Sequence, residues 1–68
     1  MEIQYEVIIY WSHRDKCYLA EAPDLPGCLV HGRSYREAAE NIVKAMELWL
    51  RVAREFKRRI PKPRKRRG

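Results

Sequence analysis

Long hydrophobic runs are missing from this 68-residue sequence. No stretch approaches the roughly 18–20 apolar residues of a membrane span. The amino end, Met1-Glu2-Ile3-Gln4-Tyr5, is acidic and alternating where a secretory signal is basic and then apolar. A soluble, cytoplasmic protein is the expectation. Cysteine is scarce: Cys17 and Cys28 only, with no CxxC and no Cys/His cluster to hold zinc. On consecutive strands of a hairpin the two thiols would sit roughly 16 Å apart, beyond the reach of a disulfide. Both read as small packing residues in a reducing compartment.

Catalytic patterns are equally sparse. There is no glycine-rich phosphate loop, no HExxH and no carboxylate cluster on one helix face. His13 falls in a polar loop, and His31 ends a strand with no third group spaced to orient it. The expectation is a protein that is not an enzyme and takes no cofactor or metal. At this length there is room for one small domain, and one of marginal stability by itself.

Charge is present but divided. Residues 1–50 carry five Lys/Arg against eight Asp/Glu, a net −3, whereas residues 51–68 carry ten Lys/Arg and only Glu55, a net +9. The basic segment includes Arg58, Arg59, Lys62, Arg64, Lys65, Arg66 and Arg67, the candidate contacts to a partner or to nucleic acid. Pro61 and Pro63 favour an extended path there, and arginine-rich segments suit phosphate or carboxylate groups. No aromatic is interleaved, so base stacking is not indicated.

The body alternates between apolar and polar residues. Ile3 to Trp11 has the period of a strand, Ser12 to Lys16 reads as a hairpin loop, and Cys17 to Ala22 is a second strand stopped by Pro23. Pro26-Gly27 is a turn pair, followed by a short strand from Cys28 to His31 closed by Gly32. Ser34 and Glu37 form an S-x-x-E capping box, and a helix is expected from Tyr35 to about Lys57. Its apolar residues (Ala38, Ala39, Ile42, Val43, Ala45, Met46, Trp49, Leu50, Val52, Ala53 and Phe56) span about 180°, wider than the roughly 100° needed to lie on one sheet. Leu48 is the one apolar residue on the polar side.

With Trp11 placed opposite Cys17, both sheet faces are apolar in their middle, and one helix covers one face. The other face, with Ile8, Tyr10, Tyr18, Ala20 and Val30, is the candidate self-association surface, making a homo-oligomer the expectation.

Pro23-Asp24-Leu25-Pro26-Gly27-Cys28, then Gly32-Arg33-Ser34-Tyr35-Arg36-Glu37-Ala38, then Ile60-Pro61-Lys62-Pro63 occur in this order. Together with Tyr5 to Ile9 and Tyr18-Leu19-Ala20 they resemble the HicB-like antitoxins, across about residues 3–63. The resemblance implies a partial ribonuclease H-like fold without catalytic carboxylates. It also implies a role as antitoxin to a small HicA-type RNA-cleaving toxin, neutralised by steric masking. Family members often continue past I-P-x-P into a further strand and a DNA-binding domain. This sequence stops at Gly68, so the expectation is a short form.

The resulting expectation is an α+β domain, β-β-β-α, over residues 1–60, with a basic tail over 61–68. An alternative function is nucleic-acid binding through that tail.

Overall fold

The computed structural model describes residues 5–61. Three β-branched or aromatic segments become strands, β1 (Ile8–Ser12), β2 (Cys17–Glu21) and β3 (Leu29–Gly32), and one helix follows, α1 (Tyr35–Glu55). The strands form an antiparallel sheet in the order β1-β2-β3, with α1 packed across one face. This is the expected α+β, β-β-β-α architecture.

The hairpin between β1 and β2 is one residue tighter than expected. Ser12 pairs with Cys17, and Trp11 pairs with Tyr18 rather than with Cys17. Ser12 makes the tight closure possible. Its hydroxyl accepts from the Asp15 N–H and donates to Asp15 Oδ2, both at 3.1 Å, while its carbonyl accepts from the Lys16 N–H at 2.8 Å. Lys16 takes a left-handed conformation, φ 52°, to complete the loop. A one-residue change of register moves every side chain of one strand to the other face relative to its partner. Here it regroups both faces of the sheet.

Two successive turns join β2 to β3. The Leu25 N–H donates to the Ala22 carbonyl and the Cys28 N–H to the Leu25 carbonyl, each at 3.0 Å. Pro26 and Gly27 occupy the centre of the second turn, where Gly27 adopts φ 80°, as position three of a type II turn requires. Between the two prolines Leu25 drops into the core and is fully buried. In the sequence this segment is marked only by the strand stop at Pro23 and the turn pair Pro26-Gly27, with no sign that Leu25 is buried.

Gly32 lets the helix start close to the sheet. A Cβ there would lie 2.8 Å from Ala38 Cα, inside the distance real atoms tolerate. The Ser34 half of the capping box forms as expected, the Glu37 N–H donating to Ser34 Oγ at 3.0 Å, while the Glu37 carboxylate reaches back one residue past the cap, Oε1 accepting from the Arg33 N–H at 2.8 Å. The helix then buries Ala38, Ile42, Met46 and Leu50 against Ala20, Ala22, Leu25 and Cys28, and Ala53 is buried near its end. Two side chains pin it down: Asn41 Nδ2 donates to the His31 carbonyl at 2.9 Å and Trp49 Nε1 to the Pro26 carbonyl at 3.0 Å. The first of these occupies a carbonyl on the β3 edge of the sheet.

α1 ends two residues before the expected Lys57. Phe56 is its C-cap, Lys57 turns left-handed at φ 54°, and the N–H groups of Lys57 and Arg58 donate to the carbonyls of Arg54 (3.2 Å) and Ala53 (2.7 Å). That pair of bonds is a Schellman closure. It turns the chain back so that the Pro61 carbonyl accepts from the Tyr5 hydroxyl, beside the start of β1.

Candidate interaction surface

The register decides what the sheet offers to a partner. Ile9, Ala20 and Val30 are aligned across the three strands, and this row lies beneath the helix: Ala20 is fully buried, and Ile9 and Val30 pack on the core. Trp11 and Tyr18 share that side, stacked edge-on at 5.0 Å, with Tyr35 a further 4.6 Å from Tyr18. The neighbouring rows therefore point away from the helix. These are Ile8, Glu21 and Leu29, and Tyr10, Leu19 and His31.

This outward face is apolar at its centre. Ile8, Tyr10 and Leu29 are all large and exposed, and Leu19 is half-buried between them. Glu21 and His31 supply polar groups within the same rows, and Ser12 and Cys17 follow at the hairpin end. Among the described residues nothing covers this face. Burying apolar surface is worth about 25 cal/mol per Å², which makes this exposed apolar face the candidate docking surface.

Of the five residues proposed for self-association, Ile8 and Tyr10 lie on the open face. Tyr18, Ala20 and Val30 do not: the tighter hairpin turns them towards α1, and Leu19 and Leu29 take their place. Periodicity within a strand could not reveal this, because it fixes which residues share a face but not how neighbouring strands align. Pro23, Pro26 and Gly27 occupy the turns, Gly32 ends β3 against the start of α1, and Ser34 and Glu37 form the helix cap. Arg58 and Arg59 are exposed just beyond the helix. Lys62, Arg64, Lys65, Arg66 and Arg67 lie outside the described residues.

Chemistry-bearing groups do not converge. Among the described residues no three His, Cys, Asp or Glu side chains are grouped as metal ligands would be. Cys17 and Cys28 are free thiols, and burial pushes the Cys28 thiol above its ordinary range, which suits a packing residue better than a nucleophile. Among the described residues no helix is long and apolar enough to cross a membrane.

Comparison with known proteins gives this surface a context. Residues 5–66 match the family described as the HicB_like antitoxin of bacterial toxin-antitoxin systems. The chain belongs to the HicB-like antitoxin family. Among curated relatives, UPF0150 protein Ta0767 of Thermoplasma acidophilum is 32% identical over 60 residues, covering 88% of this chain and 86% of its own. UPF0150 protein ssl0259 of a Synechocystis species is 30% identical over 59 residues, covering 87% and 80%. A UPF0150 protein of Helicobacter pylori is 52% identical over a shorter stretch of 33 residues, 48% of this chain and 46% of its own. No solved structure matches the chain significantly. Membership in the HicB-like family supports an antitoxin role with a toxin as partner and points to a non-catalytic protein.

Proposed function

We propose that this protein neutralises a small, basic, RNA-cleaving toxin of the HicA type by docking on it and masking its active site, in the cytoplasm. The observation that carries the reading is the open sheet face, with Ile8, Tyr10, Leu19 and Leu29 at its centre and Glu21 in their rows. A toxin that binds RNA has a basic surface, and an antitoxin that occupies it needs apolar anchors together with acidic groups. The body of this chain, net −3 over residues 1–50, has the matching sign. Glu6, Glu21 and Asp24 are among the acids that give this net charge. Steric occlusion needs no catalytic group, and none is placed on this face.

The test is co-expression with a HicA-type toxin. The wild-type chain should copurify with that toxin and restore growth. Tyr10→Lys with Ile8→Lys should lose both effects while the protein stays folded. Glu21→Lys and Glu6→Lys should weaken association more steeply with salt. Unchanged affinity in all four substitutions overturns the assignment of this face.

A further inference from the structure

Aromatic rings gather at the hairpin end of the sheet, on the side that carries the helix. Trp11, Tyr18 and Gly32 are aligned across the three strands. The glycine places no side chain in that row, and a ring from the start of α1, Tyr35, lies 4.6 Å from Tyr18. Trp11 lies 5.0 Å from Tyr18, and His13 stands edge-on to Trp11 at 6.4 Å. The planes of Trp11 and Tyr35 are inclined to that of Tyr18 by 70° and 42°, so neither lies flat upon it. Both outer rings stay open to solvent: Trp11 is 43% exposed and Tyr35 56%.

Cations collect at the same end. Residues 1–50 contain five Lys/Arg, and four of them are Arg14, Lys16, Arg33 and Arg36. The first two lie in the loop between β1 and β2, and the others within two residues of the start of α1. Antiparallel pairing brings these segments together, because β3 ends at Gly32 opposite Tyr18, next to that loop. All four side chains are exposed. The acids interspersed with them are engaged locally, Asp15 with the Ser12 hydroxyl and Glu37 with the Arg33 N–H. Arg36 meets Glu40 at 3.6 Å with both side chains exposed, a pairing worth little.

We infer that this end of the sheet binds single-stranded RNA, its bases stacking on Trp11 and Tyr35 and its phosphates held by Arg14, Lys16, Arg33 and Arg36. Rings set among cations are what single-strand binders use, since every base has a π-face and every nucleotide a negative phosphate. An acidic peptide would use the cations and leave the rings without a partner. A duplex keeps its base faces within its own stack. The basic segment beyond the helix has cations but no ring among them, so it lacks this combination. RNA is the selected source because the unpaired strands of a cell are chiefly RNA. This inference does not rest on the toxin reading. The rings lie on the opposite side of the sheet from Ile8, Tyr10 and Leu29, so both surfaces are available together.

Binding of labelled oligomers to the full wild-type chain, followed by fluorescence anisotropy, tests the inference. One probe is an oligoadenylate of about eight nucleotides, within the site sizes of single-strand binders. The other is an abasic oligomer of the same length, which the basic segment alone would hold equally well. The rings should favour the oligoadenylate by at least about fivefold. Tyr35→Ala should remove most of that preference and Tyr35→Phe should retain it, with melting curves checking that both variants fold. Arg14→Gln with Arg33→Gln should flatten the salt dependence of oligoadenylate binding. In Trp49→Phe the remaining tryptophan is Trp11, and a base stacked on it should quench its emission. Equal binding of the two oligomers overturns the inference. So does a preference that survives Tyr35→Ala while Trp11 emission stays unchanged. Quenching by oligodeoxyadenylate or oligoglutamate, but not by oligoadenylate, also overturns it and assigns the surface to DNA or to an acidic peptide.

Discussion

Lys57 holds a backbone conformation that its side chain disfavours. At φ 54° it sits at the left-handed position of the Schellman closure, where glycine is the usual occupant. A Cβ in this region costs roughly 1–2 kcal/mol relative to the right-handed conformation. Lys57→Gly removes that cost but gives back part of it through the freer unfolded chain. The expected net gain is about 0.5–1 kcal/mol, read as a rise of a few degrees in thermal midpoint. A fall on melting would show that the lysine stem contributes packing that outweighs the strain. Sequence reading missed this site because no glycine marks it, and the helix pattern runs on through Phe56 and Lys57. The reverse holds at Pro26-Gly27, where the residues themselves demand a turn and the turn is there. Leu25 was hidden for a related reason. One apolar residue between two prolines has no period, so its burial becomes visible only once the double turn is folded.

At the scale of elements, what depends on neighbours in sequence was readable, and what depends on strand alignment was not. The start of α1 is the clear case. Ser34 and Glu37 are three residues apart, and the Ser34 cap on the Glu37 N–H, with the Glu37 carboxylate reaching back to the Arg33 N–H, follows from local geometry alone. Ser34→Ala should destabilise the protein by about 1 kcal/mol, seen as a lower denaturation midpoint with an unchanged denaturant slope, while Ser34→Asp should retain most of the stability. Equal melting of wild type and Ser34→Ala would mean that packing of Ala38 and Ile42 fixes the helix start without the cap. The hairpin register is the contrary case. A loop of four residues rather than five depends on the Ser12–Asp15 bonds and on a left-handed Lys16. Polar composition predicted the loop but not its length. That one residue moved Tyr18, Ala20 and Val30 beneath the helix and put Leu19 and Leu29 on the open face. The existence of a surplus apolar face was thus legible, and its membership was not.

On the scale of the whole molecule, the described chain begins and ends at the same place. The Schellman closure sends residues 58–61 back across the fold, and the Tyr5 hydroxyl donates to the Pro61 carbonyl, 56 positions away in sequence. Tyr5 also packs on the core, so one residue ties the start of the sheet both to the helix layer and to the returning chain. A small domain depends heavily on such ties, because it buries only about 60% of its unfolded surface. Tyr5→Phe keeps the ring and its packing and removes the bond alone. The partly buried carbonyl left behind can still find water, so the expected loss is about 0.5–1.5 kcal/mol, or a fall of roughly 4–8 °C per kcal/mol in a domain of this size. Amide exchange locates the effect: residues 58–61 should open more often in Tyr5→Phe while the centre of α1 keeps its protection. Uniform loss of protection would instead make this bond part of the global folding unit. An unchanged midpoint with unchanged exchange would show that the turn at Lys57 suffices to hold the returning segment in place.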